Sequence, residues 1–530
     1  MFSTPSPFPV FKTPWLRARC LIVVAVLALF ACSLGPSADE AALAERFGQM
    51  TQTTLHEIQT IHIEPEETAT LTLAALDGLQ RIAPRVTIAQ QGDTIVARYL
   101  DGRDIARIAT PQTTDPHAWA IGATQLVFQA REVDARLGAA DEETLYDAFF
   151  GGMISRLDRY SRYAGRADAR EARAEREGFG GIGVRIEDHP DGARLIDVIP
   201  GDPAAAAGLL VGDLLIAVNG EPIEGHPIRD IVERLRGPID APVVVTVRRL
   251  RLDTPLTVTV GRTRIVPDTI KTRRDGPYQV IQITSFNQRT AKRLAEALAG
   301  ARTAAQGPVA GIILDLRGNP GGLLDQAVDS ADLFLETGLI SRADGRHRNS
   351  HQRFEAEPGD LAAGLPLVVL IDGASASAAE ILASALQDQG RGVVIGMTSF
   401  GKGTIQTVIT LPNGGELYLT WARFVAPSGY PLQRLGVGPT ICTSGVNDPV
   451  KAVDRALARP ENSPSGSQSL ALRRNLGPDA TEDALRAVLN ACPWQPHGDV
   501  DIDLGVAKLL LDAPSLYDRA IELARSAPTS

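Results

Sequence analysis

The sequence predicts an α/β protein, with a layered core of alternating strands and helices preceded by a β-rich module and a mostly helical amino-terminal region. Two patterns carry that prediction. From Tyr278 to about Pro427, short Val/Ile/Leu runs alternate with longer amphipathic segments, the order expected of a largely parallel sheet. From about Glu175 to Arg262, apolar and polar residues alternate instead, and glycine and Asn-Gly signals separate the runs. The chain has 530 residues, 44% hydrophobic and 22% charged, an ordinary globular composition. Its formal net charge of −10 offers no basic excess to neutralise phosphates, which argues against non-specific nucleic-acid binding.

Residues 1–38 read as a targeting segment. Lys12, Arg17 and Arg19 precede an apolar run from Leu21 to Ala31. That run is shorter than the ~20 residues of a membrane span but suits a signal-peptide core. Cys32 follows Leu29-Phe30-Ala31, which resembles a bacterial lipoprotein cleavage box. Lipidation at Cys32, ordinary cleavage and an uncleaved membrane anchor stay open. Each sends the rest of the chain out of the cytoplasm, to a bacterial periplasm or cell envelope. Of the four cysteines, Cys20 and Cys32 belong to this segment. Cys442 and Cys492 are either a disulfide or two buried thiols, and neither has a second ligand at metal-site spacing.

Residues 40–174 read as mostly helical, with a loop from Gly102 to Pro116. The module at 175–262 contains a strand from Leu210 to Gly220, an amphipathic helix from Ile228 to Leu235 and a strand from Val243 to Val247. In the core, 263–441, strands are expected at Val280–Ile283, Ile312–Leu316, Leu367–Ile371 and Val393–Ile395. Helices are expected at Arg289–Ala301, Leu323–Leu335 and Ala378–Gln387. Ile405–Leu411 and Glu416–Phe424 flank Pro412-Asn413-Gly414-Gly415, a hairpin signal. In the last region, 442–530, residues 460–480 read as a flexible insertion and Leu504–Ala524 as a final helix.

Two segments carry chemistry. The Leu367–Ile371 strand passes through Asp372-Gly373-Ala374-Ser375-Ala376-Ser377 into a helix. Ser377 with Glu380 makes a capping box, so its hydroxyl has a structural use. It also stands at a helix amino terminus, where free N–H groups can hold an oxyanion. Ser375 is the weaker candidate nucleophile. Lys402, between Gly401 and Gly403, is a candidate base if burial depresses its ordinary pKa of about 10.4. Gln406, four residues on in a strand, shares its face. None of the eight histidines falls at the end of a core strand. His347 and His351 are four apart with no acidic residue between them, so no metal site is expected. The segment Asp315 to Gly322 ends a strand in glycines that expose backbone N–H groups. It lacks the phosphate-loop pattern, and oxyanion donation fits it better.

Over about Phe149 to Ile441 the chain resembles the C-terminal processing peptidases, or tail-specific serine proteases. The likeness rests on Leu157-Asp158-Arg159-Tyr160-Ser161, Gly181-Ile182-Gly183 with Gly212-Asp213, Asp315 to Gly322, Ser375 to Glu380, Phe400 to Gln406, and Arg423 to Gly429. The resemblance implies a Clp-protease/crotonase-like core in which Ser377 is the nucleophile, Lys402 the base and Gln406 its orienting partner. The N–H of Ala378, with that of Gly321 or Gly322, would form the oxyanion hole. The module at 175–262 would be an inserted PDZ domain, with Gly180, Gly181, Ile182, Gly183 and Val184 as the loop that holds a chain's C-terminal carboxylate. It implies protein or peptide substrates with free C-termini and no cofactor, and leaves open a homo-oligomer or an adaptor protein. Ala379 stands where the family often has serine, and Arg159-Tyr160 where Pro-His is usual. Two rival readings are a catalytically idle PDZ scaffold and a crotonase-type acyl-CoA enzyme. The pairing of Ser377 with Lys402 argues against both.

Overall fold

The computed structural model describes residues 38–303, 307–457, 466–476, 480–495 and 501–525. All of the targeting segment but Ala38 therefore lies outside the described residues. The chain forms two compact units, one of residues up to His56 with Glu67–Met153, the other of Glu57–Glu66 with residues from Ile154 onward.

The first unit is less helical than its alanine content implies. Val86–Gln91, Thr94–Tyr99 and Asp104–Ala109 form a three-stranded antiparallel sheet. The expected loop after Gly102 thus holds a strand. Its Ile105, Ala106 and Ile108 are buried, a pattern too short to stand out between polar residues. The helices Thr68–Gly78 and Pro116–Val133 accompany the sheet, and Phe47, Tyr146, Phe149 and Phe150 form an aromatic cluster beside them.

In the second unit the β-rich module is an antiparallel sheet ordered Leu256–Gly261, Pro242–Arg248, Leu214–Val218, Gly192–Val198, Val184–His189. Val184–His189 is an edge strand, paired on one side only. Ile231 and Leu235 of the amphipathic helix Ile228–Leu235 are buried against Val218, Val245 and Ile182. The segment expected to be one loop is divided. Gly180 and Gly181 lie in a strand, Phe179–Gly181, paired with Thr263–Ile265, and Val184 begins the edge strand. Only Ile182 and Gly183 remain between strands. Backbone pairing wins there because the chain enters and leaves the module side by side.

The core sheet runs Ile270–Asp275, Tyr278–Ile283, Gly311–Asp315, Leu367–Ile371, Val393–Gly396, Ile441–Cys442, parallel except for the first strand. Thr290–Thr303, Leu324–Asp332 and Ala378–Asp388 pack on one face. Pro449–Leu457, Ile502–Asp512 and Pro514–Arg525 cover the other, through Val453, Val506, Leu510 and Ala520. The single final helix is therefore two. Pro514 has no N–H to donate and disfavours helical backbone at Ala513, whose φ/ψ of −127°/86° breaks the run. Of the expected insertion, residues 460–465 and 477–479 lie outside the described residues. Between them a helix, Gly466–Arg474, carries a fully buried Arg473 that donates to the carbonyls of Leu435 and Gly436. A second sheet, Gln352–Glu355, Leu339–Asp344, Glu416–Val425, Thr404–Thr410, contains the expected hairpin. Cys442 and Cys492 form a disulfide.

Candidate active site

The central strand Leu367–Ile371 is fully buried and delivers the chain into a turn held by its own side chains. Asp372 Oδ1 accepts from the N–H groups of Ala374 and Ser375, each at 3.0 Å, and from Gly318 N–H at 3.0 Å. Ser375 Oγ is buried, lying 2.9 Å from Leu316 O and 3.1 Å from Asp372 Oδ1. Its hydroxyl is occupied in building the turn. Ser377 adopts φ/ψ of 55°/−114° at the start of the helix. A non-glycine residue there costs on the order of 1–3 kcal/mol, so the surroundings must impose it.

Glu380 imposes it. This carboxylate is buried among four donors. Oε2 accepts from Ser377 N–H at 2.7 Å and Lys402 N–H at 2.9 Å. Oε1 accepts from Gly401 N–H at 2.7 Å and from the Ser399 hydroxyl. Burial pushes its pKa up and the donors pull it down, with a net rise. One side chain thus ties the Ser377 turn to the Lys402 loop. The sequence marks Glu380 only as half of a capping box.

The glycine segment is drawn to the same turn. Asn319 O accepts from Ala376 N–H at 2.9 Å, and its side-chain oxygen accepts from Gly321 N–H at 2.8 Å. Gly321 has φ of 101°, and a Cβ on it would lie 2.9 Å from Ser377 Cβ and 3.1 Å from Ala378 N, so only glycine permits this approach. Its N–H, however, is committed to Asn319. Of the two expected donors, Gly322 is the one whose N–H has no partner among the described residues. The N–H of Ala378 likewise has none, as expected in a helix's first turn.

Lys402 Nζ lies 3.1 Å from Gln406 Oε1 and 5.4 Å from the centre of the Tyr160 ring. Gln406 Nε2 donates to Tyr160 O, which turns Oε1 toward the amine. Burial lowers the Lys402 pKa, and the nearby charge of Arg162 adds to the effect, while Asp158 and Glu380 oppose it. Among the described residues no carboxylate lies within ion-pair distance of this amine. Ser377, Ala378, Gly322, Lys402 and Gln406 line one cleft of ≈ 240 Å³, walled by apolar groups including Ile381 and Phe424. The arrangement offers a hydroxyl, a desolvated amine and two free N–H groups around one space, the groups that acyl transfer requires.

Gly180, Gly181, Ile182, Gly183 and Val184 do not line this cleft. Gly180 lines another, with Phe179, Arg170 and Arg236. His347 Nδ1 accepts from Asn349 N–H at 3.2 Å, and His351 Nδ1 lies 2.5 Å from Asp344 Oδ1. Both serve local structure. Besides Glu380, sequence reasoning misses the Tyr160 carbonyl, which is 246 positions from Gln406 and has no local signature.

Residues 278–443 match the profile of peptidase family S41, and 196–249 that of a PDZ domain. The chain is 38% identical over 303 residues to the carboxy-terminal-processing protease of Bartonella bacilliformis, covering 57% of this chain and 70% of that protein. It is 33% identical over 306 residues to the carboxy-terminal processing protease CtpA of Bacillus subtilis, covering 57% of this chain and 64% of that one. A solved photosystem II D1 C-terminal processing protease is 27% identical, covering 56% of this chain and 81% of the other, with a TM-score of 0.33.

Proposed function

Given that the chain belongs to peptidase family S41, the carboxy-terminal-processing serine proteases, we propose that it cleaves peptide bonds with a Ser377/Lys402 dyad. The neutral Lys402 amine takes the Ser377 proton as Oγ attacks the scissile carbonyl. The same nitrogen then returns the proton to the leaving amine, and water repeats the cycle on the acyl-enzyme. Gln406 Oε1 accepts one amine hydrogen and so aims the nitrogen lone pair into the cleft. The oxyanion is held by the N–H groups of Ala378 and Gly322. One observation carries this reading: the amine that shares the cleft with Ser377 is desolvated, and among the described residues no carboxylate lies within ion-pair distance of it.

The PDZ domain binds peptide, and its open edge strand Val184–His189 is where a substrate tail can add as a further strand. The tail's carboxylate then falls at Ile182 and Gly183, between Gly180-Gly181 and Val184. Substrates are exported proteins with free C-termini, met in the periplasm or envelope after the segment around Leu21–Ala31 has directed export. A membrane anchor there, and a homo-oligomer or adaptor protein, are further parts of the proposal. The test is incubation of the purified chain and its Ser377→Ala form with an unstructured protein. Fragments that depend on Ser377 support the reading, and their absence from the parent protein overturns it. Amidating the substrate's C-terminus tests the carboxylate arm separately.

A further inference from the structure

We propose that His62 is a positioning residue for the Lys402–Gln406 pair, acting through Asp158 and the Tyr160 carbonyl. The proposal rests on the dyad reading above. Neither matched segment, 278–443 or 196–249, includes His62, Asp158 or Tyr160.

His62 follows the carboxyl end of the helix Ala38–Ile61 and is 1% exposed. Both ring nitrogens are engaged: Nδ1 lies 2.6 Å from Glu64 O and Nε2 3.0 Å from Asp158 Oδ2. The backbone around the ring is also fixed. His62 O accepts from Arg346 Nε at 3.1 Å, and Ile63 N–H donates to Thr420 O at 2.8 Å. The imidazole is thus a built part of the wall behind Asp158.

Asp158 converts that wall into a defined turn. Besides the histidine, Oδ2 accepts from Ser161 Oγ at 2.6 Å, and Oδ1 accepts from Tyr160 N–H at 2.8 Å, Ser161 N–H at 3.2 Å and Thr420 Oγ1 at 3.0 Å. These donors outweigh burial and hold the carboxyl below its usual range, so it stays ionised. The turn they shape ends at Tyr160, whose carbonyl receives Gln406 Nε2 and whose ring lies beneath Lys402 Nζ. Four links therefore run from His62 to the base: imidazole to Asp158, Asp158 to the Tyr160 backbone, Tyr160 O to Gln406, and Gln406 Oε1 to Lys402. His62 does not line the cleft, so it acts only through the others. Losing it removes one of the partners that orient Asp158. The turn loosens, Gln406 loses its anchor, and the amine lone pair is no longer aimed at Ser377.

The charged groups near the two ends are few. Asp158, Arg162 and Glu380 act on Lys402. Asp158 faces the His62 ring, Arg346 binds its carbonyl, and Glu64 is paired with Arg423 at 2.6 Å. The experiment compares kcat, KM and the pH–rate curve of the full chain, cleaving an unstructured protein, for the parent, His62→Ala, His62→Gln, Gln406→Ala and the His62→Ala/Gln406→Ala double variant. Misplacing a base by an ångström costs up to about 100-fold. His62→Ala should therefore lose about tenfold in kcat with KM unchanged, and its alkaline rise should move toward the ordinary lysine value as the amine becomes more mobile and hydrated. His62→Gln, whose amide can still donate to Asp158, should recover most of the loss. The double variant should be no slower than Gln406→Ala alone. Parent-like kcat in folded His62→Ala, or losses that multiply in the double variant, would overturn the proposal. If His62→Ala does not fold, His62→Phe, which fills the same space but cannot donate to Asp158, takes its place: parent-like kcat in folded His62→Phe, or a loss that multiplies when it is combined with Gln406→Ala, overturns the proposal. If the parent shows no Ser377-dependent cleavage, the dyad reading itself fails, a result distinct from a working parent whose His62 variants match it.

Discussion

Ser377 stands between a fully buried strand and a helix in which Ala378 to Gln387 are all buried, and Asp372, Ser375 and Glu380, the side chains that shape its turn from within, lie within five residues of it. Lys402 stands on a glycine-flanked loop whose settings come from far away: Tyr160 for Gln406, Arg162 and Asp158 for its electrostatics, and Cys492 O for the N–H of Thr398 at 3.2 Å. The proposed nucleophile is held by local backbone geometry inside packed hydrocarbon. The proposed base is held by a polar network assembled from distant parts of the chain. Glu380 is where the two meet. The contrast teaches that the proposed dyad has one half that tolerates little motion and another whose basicity is open to adjustment from outside the core.

The largest effects should come from removing either half outright. Ser377→Ala and Lys402→Ala should each lower the cleavage rate by about 10⁴-fold or more with unchanged circular dichroism, because groups acting as a unit are lost together. Measurable turnover near the parent's in either variant would break the assignment. Next comes the joint. Glu380→Gln turns one acceptor oxygen into a donor facing N–H groups already in place, at a cost on the order of 1–3 kcal/mol for each partner left unsatisfied. It should lower both thermal stability and activity, and a variant affected in only one would show that the halves are not coupled there.

Opening the Cys442–Cys492 bridge should act on the lysine side. A loop of 50 residues predicts a stability loss of about 4 kcal/mol on chain-entropy grounds, checked by urea denaturation of Cys442→Ser. Adding reductant should bring the parent to the same midpoint and leave the variant unmoved. A smaller effect distinguishes electrostatics from packing. Burial and the Arg162 charge both lower the Lys402 pKa, and the proposed mechanism uses the neutral amine, so activity should rise as pH climbs through the lowered value. Arg162→Gln removes one cause of the lowering and should move that rise to higher pH, less so at high salt because Arg162 is exposed. A shift to lower pH would contradict the sign. Least of all, His347→Gln with His351→Gln should leave activity and its pH curve near the parent's, since neither ring lines the cleft.

The same contrast explains what was legible in the sequence. The core strands and helices were, because Val/Ile/Leu runs such as Val368-Val369-Leu370-Ile371 are buried on both faces and leave an unbroken apolar signature. The serine turn was, because small residues, a hydroxyl and a cap fall within nine positions. The hydroxyl of Ser375 was readable only once its contacts with Leu316 and Asp372 were known, and the choice of Gly322 over Gly321 only once the Gly321 N–H was found on Asn319 Oδ1. The strand Asp104–Ala109 was hidden because three buried residues interleaved with charge look like a loop. Arg473 was hidden because an arginine in a Ser/Pro-rich stretch gives no sign that carbonyls wait for it in the interior. The roles of His62 and of the Tyr160 carbonyl were hidden because contacts across 96 and 246 positions are a property of the fold alone.

The edge strand Val184–His189 carries a liability as well as an opening. A row of unpaired N–H and C=O groups will template any extended chain, including an identical edge from a second molecule. Its outward side chains Arg185, Glu187 and Asp188 are exposed and bear both signs of charge. Such residues resist edge-to-edge self-association, because most registers of two like strands bring equal charges together. Replacing all three by threonine and following light scattering against concentration would reveal how far those three side chains hold off self-association through this edge.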